Sequence, residues 1–142
     1  MSGTGKSSVL AELALRGHPV IDADTDGYLV WSGDDWMLDL DSLRTRLEQP
    51  GAVFVAATAE NQEELYPHFA AVVLLSAPRD VLVDRVLTRT TNDFGKGHGE
   101  LAKILRDLEE VEPLLRRSST HEIVTTIPLA ETADRLQAIA RG

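Results

Sequence analysis

The sequence contains no cysteine, which excludes a disulfide framework and a thiolate metal centre. No apolar run approaches the ~20 residues of a membrane-spanning helix, and the first residues do not form the charged-then-apolar pattern of a signal segment. No membrane partner is therefore expected. Internal repeats and low-complexity tracts do not occur. Basic residues are scarce: 14 Lys and Arg stand against 23 Asp and Glu, a formal charge of −9. That balance argues against a surface that coats polyanions, so bulk nucleic acid is not an expected partner, although a local site for one small anion is compatible with it. The acidic, cysteine-free composition suits a cytoplasmic protein. What remains is 142 residues, 43% of them hydrophobic, the size of one domain with a single core.

Against that background the first eight residues, Met1-Ser2-Gly3-Thr4-Gly5-Lys6-Ser7-Ser8, read as most of a phosphate-binding loop. The full motif, G-x-x-x-x-G-K-[ST] between a strand and a helix, cradles phosphates on backbone N–H groups. Its lysine reaches the β/γ-phosphates and its hydroxyl ligates Mg²⁺. Counting back from Gly5-Lys6-Ser7 puts the first glycine of the motif just before Met1. Val9, Leu10, Leu13 and Ala14 then recur at helical spacing until Gly17, which predicts the amphipathic helix that a phosphate loop needs behind it. The competing reading is a flexible tail ahead of an unrelated helix.

Pro19-Val20-Ile21 predicts a short buried strand that ends in acids, Asp22 and Asp24, with Asp26-Gly27 as a turn. The C-terminal edge of a parallel strand is where ligands bind in an open α/β sheet. Asp22 or Asp24 is thus a candidate for Mg²⁺ or for the proton of an acceptor hydroxyl, and helix capping is the alternative for each. From Tyr28 to Gln49 the pattern is mixed. Both tryptophans, Trp31 and Trp36, flank the polar stretch Ser32-Gly33-Asp34-Asp35, either lining an acceptor pocket or forming the core of a small subdomain. Asp41 is expected to cap a helix over Ser42 to Glu48.

Two continuous apolar runs, 52–57 and 70–75, fit strands buried on both faces of a parallel sheet. The first delivers Thr58, Glu60, Asn61 and Gln62 at its edge, with Gln62 as the preferred substrate contact. The second leads into a helix from Arg79 to Thr88, with Val81, Leu82, Val86 and Leu87 facing the core. Arg85 and Arg89 are i, i+4 neighbours able to act on one anion, the alternative being a solvated or salt-bridged pair. Residues 90–99, with Lys96 and three glycines, read as a flap able to close over phosphates. A helix from Glu100 to Arg117 interrupted near Pro113, a strand over 122–127 and a helix over 129–140 complete the chain.

This order of elements resembles the small-molecule kinases of the P-loop superfamily, the adenylate-kinase-like and shikimate-kinase-like group, over nearly the whole chain. The resemblance implies an α/β fold of three αβα layers, with a mostly parallel sheet of order 2-3-1-4-5. A single domain over 1–142 is expected, with its substrate side at 28–50 and its lid at 89–99. It further implies ATP and Mg²⁺ as cofactors and transfer of the γ-phosphoryl group to a small-molecule hydroxyl or phosphate. Gly3, Thr4, Gly5, Lys6, Ser7 and Ser8 would cradle the nucleotide, Arg85 and Arg89 would contact it, and Ser7 and Asp22 would hold the metal. Lys6, Asp24 and Arg89 would be catalytic, and Asp24 and Gln62 would meet the acceptor. Shikimate kinases carry a Gly-Gly-Gly run where this chain reads Ala57-Thr58-Ala59, which argues against shikimate itself. In that family the central strand precedes the loop. A strand of ~5 residues buries three or four side chains at ~1.5–3 kcal/mol each, against a domain stability of ~5–15 kcal/mol. The expectation is a chain lacking its first central strand, through a late start site, a truncation or a gap filled by homo-oligomerisation. A nucleotide-binding module, or a degenerate and inactive P-loop ATPase, is the second functional class.

Overall fold

The computed structural model describes residues 4–88, 97 and 99–142. Their elements, in chain order, are α1 (Lys6–Leu15), β1 (Val20–Asp22), β2 (Leu29–Trp31), β3 (Trp36–Leu38), α2 (Leu40–Leu47), β4 (Phe54–Ala56), a 3₁₀ helix (Gln62–His68), β5 (Val73–Ser76), α3 (Arg79–Thr88), α4 (Glu100–Glu110), α5 (Glu112–Ser118), β6 (His121–Val124) and α6 (Leu129–Arg141). The chain divides into two compact units, one formed by Met1–Lys6 and Val72–Pro128, the other by Ser7–Ala71 and Leu129–Gly142.

In the second unit β1 and β4 pair in parallel, with Val20 opposite Phe54, Ile21 opposite Val55 and Asp22 opposite Ala56. Ile21, Ala23, Leu38, Leu43 and Leu65 form its core, and Tyr28, Leu29, Val53, Val55 and Phe69 pack around them. Three of these core residues come from segments that bury only one side chain each, namely β3, α2 and the 3₁₀ helix. Such short elements contribute little stability alone and gain it from the shared cluster. The helix expected over Ser42 to Glu48 begins at Leu40, because Asp39 rather than Asp41 is the cap: its carboxylate accepts from the Ser42 N–H at 3.2 Å and from the Ser42 hydroxyl at 2.7 Å. That cap satisfies one of the N–H groups a helix start leaves open.

The mixed pattern of Tyr28 to Leu40 resolves as an antiparallel hairpin, in which Leu29 faces Leu38, Val30 faces Met37 and Trp31 faces Trp36. Arg16, at the end of α1, ties that helix to α6 by donating to Asp134 at 2.7 Å, to the Ala130 carbonyl at 3.2 Å and to Gln137. The helix stop at Gly17 is a left-handed residue with φ +88°, a conformation that costs glycine little.

In the first unit β5 and β6 pair in parallel, with Val73 opposite His121 and Ser76 opposite Val124. Leu74, Leu75, Ser76 and Ala77 are all buried, as a strand covered on both faces requires. On α3, Leu82 and Val86 are buried at i, i+4 whereas Leu87 is 48% exposed, so the core face is narrower than its hydrophobicity implies. α4 ends at Glu110 and α5 begins at Glu112, with Pro113 in its first turn. Proline has no N–H to continue the helix ladder and its ring collides with the carbonyl four residues back. Among the described residues the strands form three two-stranded sheets, two parallel and one antiparallel.

Candidate functional site

The start of α1 is the place where the sequence concentrates its chemistry. Thr4 is buried, Gly5 has φ +91°, and Lys6 is the first helical residue. A left-handed residue directly before a helix is one way to turn successive N–H groups toward a common point, and the helix start adds a partial positive charge. Gly5 permits that turn because any side chain there would be strained.

At the next residue, the hydroxyl of Ser7 donates to the carboxylate of Asp22 at 3.3 Å. Asp22 is the last residue of β1, and the chain after it folds back instead of continuing as strand. The Asp24 N–H donates to Asp22 Oδ1 at 3.1 Å, the Asp22 N–H donates to Asp26 Oδ2 at 2.8 Å, and the Asp26 N–H donates to the Asp22 carbonyl at 2.8 Å. Asp22 is thereby held in one orientation by its neighbours. Asp24 is exposed, and its carboxylate has no hydrogen-bond partner among the described residues.

A hydroxyl and a carboxylate side by side are hard oxygen donors that fit Mg²⁺, an ion that binds through one or two protein ligands and keeps several waters or phosphate oxygens. Among the described residues no group of three His, Cys, Asp or Glu side chains forms a metal site.

Across the same unit, Asn61 and Gln62 follow β4 and introduce the 3₁₀ helix. Asn61 Oδ1 accepts from the Leu38 N–H and its Nδ2 donates to the Leu38 carbonyl, both at 3.0 Å. This amide completes the outer edge of β3 as a strand partner would. Gln62 accepts from the Ala59 N–H at 2.9 Å and donates to the Tyr66 hydroxyl at 2.7 Å. Of the polar residues at this strand edge, Asn61 is the one that positions the hairpin, a role its place in the edge cluster did not indicate. Trp31 and Trp36 stand at the hairpin tip, 57% and 53% exposed, with ring centroids 5.5 Å apart and planes at 66°. They are not the core of a subdomain; Leu29 and Leu38 beneath them are.

In the first unit, Arg85 donates to the Thr125 hydroxyl at 2.9 Å and to the Thr125 carbonyl. Thr125 in turn donates its N–H to the Ser76 carbonyl at 2.7 Å, so the guanidinium fastens α3 to the C-terminal ends of β5 and β6. Beside it, Arg116 joins Glu112 at 2.7 Å and Glu122 at 2.8 Å, and Ser76 Oγ donates to Glu122 at 2.7 Å. The Arg116 hydrogen bond, then that of Ser76, hold the Glu122 carboxyl below its ordinary range, and Glu122 above all raises Arg116. Asp39 is likewise lowered by its two bonds from Ser42. Gly3, Arg89 and Lys96 lie outside the described residues, and so does most of the 89–99 lid segment. At the lid's end, Gly99 takes φ +82° at the start of α4.

No family model matches the sequence, and no curated protein matches it. A solved structure of shikimate kinase from Acinetobacter baumannii, in complex with shikimate, superposes with a TM-score of 0.59 over 96% of this chain and 87% of that one, at 20% identity. Among the described residues no helix is long and apolar enough to cross a membrane. The chain shares the α/β fold of that kinase structure, with short parallel strand pairs and helices between them.

Proposed function

We propose that this chain is an ATP-dependent phosphotransferase of the P-loop kinase type, moving the γ-phosphoryl group to a hydroxyl or phosphate of a small molecule. The observation that carries the reading is the Ser7 hydroxyl beside the Asp22 carboxylate, directly after a Gly5-Lys6 helix start and at the C-terminal edge of a parallel strand. The fold shared with a shikimate kinase supports it. The parallel pairing within each unit, β1 with β4 and β5 with β6, supports it as well.

In this reading Gly3, Thr4, Gly5 and Ser8 wrap the phosphates with backbone N–H groups, and Lys6 neutralises the β/γ-phosphates. Ser7 and Asp22 hold Mg²⁺, which with ATP supplies a phosphoryl donor whose charge is partly neutralised before transfer. Asp24, exposed and with a carboxylate that has no partner among the described residues, takes the proton from the acceptor hydroxyl. Gln62 keeps one amide hydrogen for the acceptor beyond its bond to Tyr66. The roles of Arg85 and Arg89 on the nucleotide, and of 89–99 as the lid, rest on the family resemblance alone.

Phosphoryl transfer depends on positioning and charge neutralisation, so loss of Lys6 is the decisive perturbation. Calorimetric titration with Mg·ATP is expected to show one site per chain, lost in Lys6→Ala with the fold intact by circular dichroism. Equal binding by Lys6→Ala removes the proposal.

A further inference from the structure

The Trp31–Trp36 hairpin carries more exposed aromatic surface than its fold requires. Trp31 and Trp36 lie on the same face as Leu29 and Leu38, since alternate residues of a strand share a face. That face is buried at its base, where Leu29 and Leu38 join the core cluster beside Ala23, and opens at its tip into two rings more than half exposed.

The tip is built rigidly. Ser32 donates to the Asp35 carbonyl through its N–H at 3.0 Å and its hydroxyl at 2.9 Å, the Trp36 N–H donates to Asp35 Oδ1 at 2.8 Å, and Gly33 takes φ +99°. The base is equally fixed, by Asn61 on Leu38 and by the Asp39 N–H on the Tyr28 carbonyl at 2.7 Å. A pair of open rings held in one geometry is pre-organised for a ligand, and exposed apolar surface of this kind marks contact sites.

Charge selects the occupant. Residues 22–64 hold eleven of the acidic residues and two of the arginines, whereas the rest of the chain holds twelve of each sign. The whole net charge of −9 therefore belongs to the segment that builds this hairpin and its surroundings. Of its two arginines, Arg44 is paired with Asp41 at 3.5 Å. Asp34, at the tip between the rings' strands, has no partner among the described residues. Faces of tryptophan attract cations through the ring quadrupole, and carboxylates reinforce that preference while opposing an anion.

We propose that the Trp31–Trp36 face binds the non-reacting end of the acceptor, and that the acceptor is a hydroxylated organic cation, an amine-bearing polyol, and not a carboxylate. This rests on the phosphotransferase reading for the identity of the ligand as an acceptor. Ala23, next to Asp22 and Asp24, shares a core with Leu38, and the tip residue Trp36 is two residues from Leu38, about 7 Å along a strand.

Trp31 and Trp36 are the only tryptophans of the chain, so intrinsic tryptophan emission reads this face alone. The full chain is titrated at low ionic strength with three hydroxylated cyclohexanes: 2-deoxystreptamine as the amine, myo-inositol as the neutral form and quinate as the carboxylate. The expected result is an emission change with 2-deoxystreptamine at a concentration at least tenfold lower than with myo-inositol, and none with quinate. Asp34→Asn, which removes no described hydrogen bond, is expected to weaken the amine response about threefold to tenfold, as is added salt. Quinate binding as tightly as the amine, an unchanged response in Asp34→Asn, or no emission change with any of the three overturns the proposal. Mg·ATP titration of the same sample separates the two readings. Nucleotide binding without amine preference removes only the acceptor class. Amine preference without nucleotide binding removes the phosphotransferase role and leaves a cation-binding face.

Discussion

The hydroxyl of Ser7 sits 3.3 Å from the carboxylate of Asp22, fifteen residues away in the chain. Each belongs to a different element, α1 and β1; the Asp24 N–H fixes the carboxylate by donating to Asp22 Oδ1, and Asp26 Oδ2 holds the Asp22 N–H. If the pair holds Mg²⁺ for ATP, Ser7→Ala and Asp22→Asn are each expected to lower the Mg²⁺-dependent part of ATP affinity. The loss should be about tenfold to a hundredfold, the range for disturbed metal positioning. Affinity measured in excess chelator should change little. Ser7 is exposed and Asp22 half-buried, so both variants should retain the wild-type far-ultraviolet spectrum. A loss of affinity of the same size with and without Mg²⁺ would place these residues outside the metal site.

The hairpin depends on one amide. Asn61→Ala removes both hydrogen bonds to the Leu38 backbone, at a net cost of about 0.5–1.5 kcal/mol each. Leu43 is fully buried in the same unit, and Leu43→Ala should cost about 2–5 kcal/mol through lost burial and the cavity it leaves. Urea unfolding monitored by far-ultraviolet circular dichroism should therefore rank Leu43→Ala as the less stable variant. Tryptophan emission at zero denaturant should shift more in Asn61→Ala, because Leu38 anchors the strand that carries Trp36. The reverse order in emission would show that Asn61 does not hold the hairpin.

Acid should loosen the first unit. Glu122 has its carboxyl lowered from 4.5, first by Arg116 and then by Ser76. The folded form consequently binds its proton at lower pH than the unfolded form does. Its stabilisation is fully present above about 4.5 and is lost as the pH falls through the folded value. Unfolding midpoints of the wild type should fall across that window, and Glu122→Gln should flatten the fall while lowering stability at pH 7. Asp39, lowered by Ser42, contributes an acid-sensitive limb of the same sign in the second unit, and Glu122→Gln leaves that limb in place. An acid limb identical in the wild type and Glu122→Gln would remove Glu122 from it.

Much of this was legible in the chain because local and tertiary signals agree. Leu74 and Leu75 lie in an unbroken apolar run and are buried on both faces of β5; Leu82 and Val86 recur at helical spacing and are buried together. Pro113 breaks the helix where its missing N–H requires. The hairpin was not legible. Leu29 to Leu38 alternates poorly, with Val30 exposed on one face and Trp31 and Trp36 exposed on the other, so neither helical nor strand periodicity dominates. Its pairing is enforced instead from outside, by Asn61 twenty-three residues away. Asp39 displaced Asp41 as the cap for a related reason: the Asp39 N–H bonds the Tyr28 carbonyl, and the closing hairpin sets where α2 can start. In the candidate site, the residue types were readable at Lys6, Ser7 and Asp22. The fold-back at Asp24 was not, since it follows from the Asp22 carboxylate accepting from the Asp24 N–H and the Asp26 carboxylate from the Asp22 N–H.

Acceptor-dependent release of ADP from Mg·ATP, measured across a panel of hydroxylated small molecules, tests the phosphotransferase account most directly. At least one acceptor, drawn from the amine-bearing polyols, is expected to stimulate ADP release and gain the γ-phosphoryl group, and Lys6→Ala is expected to abolish both. Mg·ATP bound without stimulation by any acceptor, or release unaffected by Lys6→Ala, would contradict it.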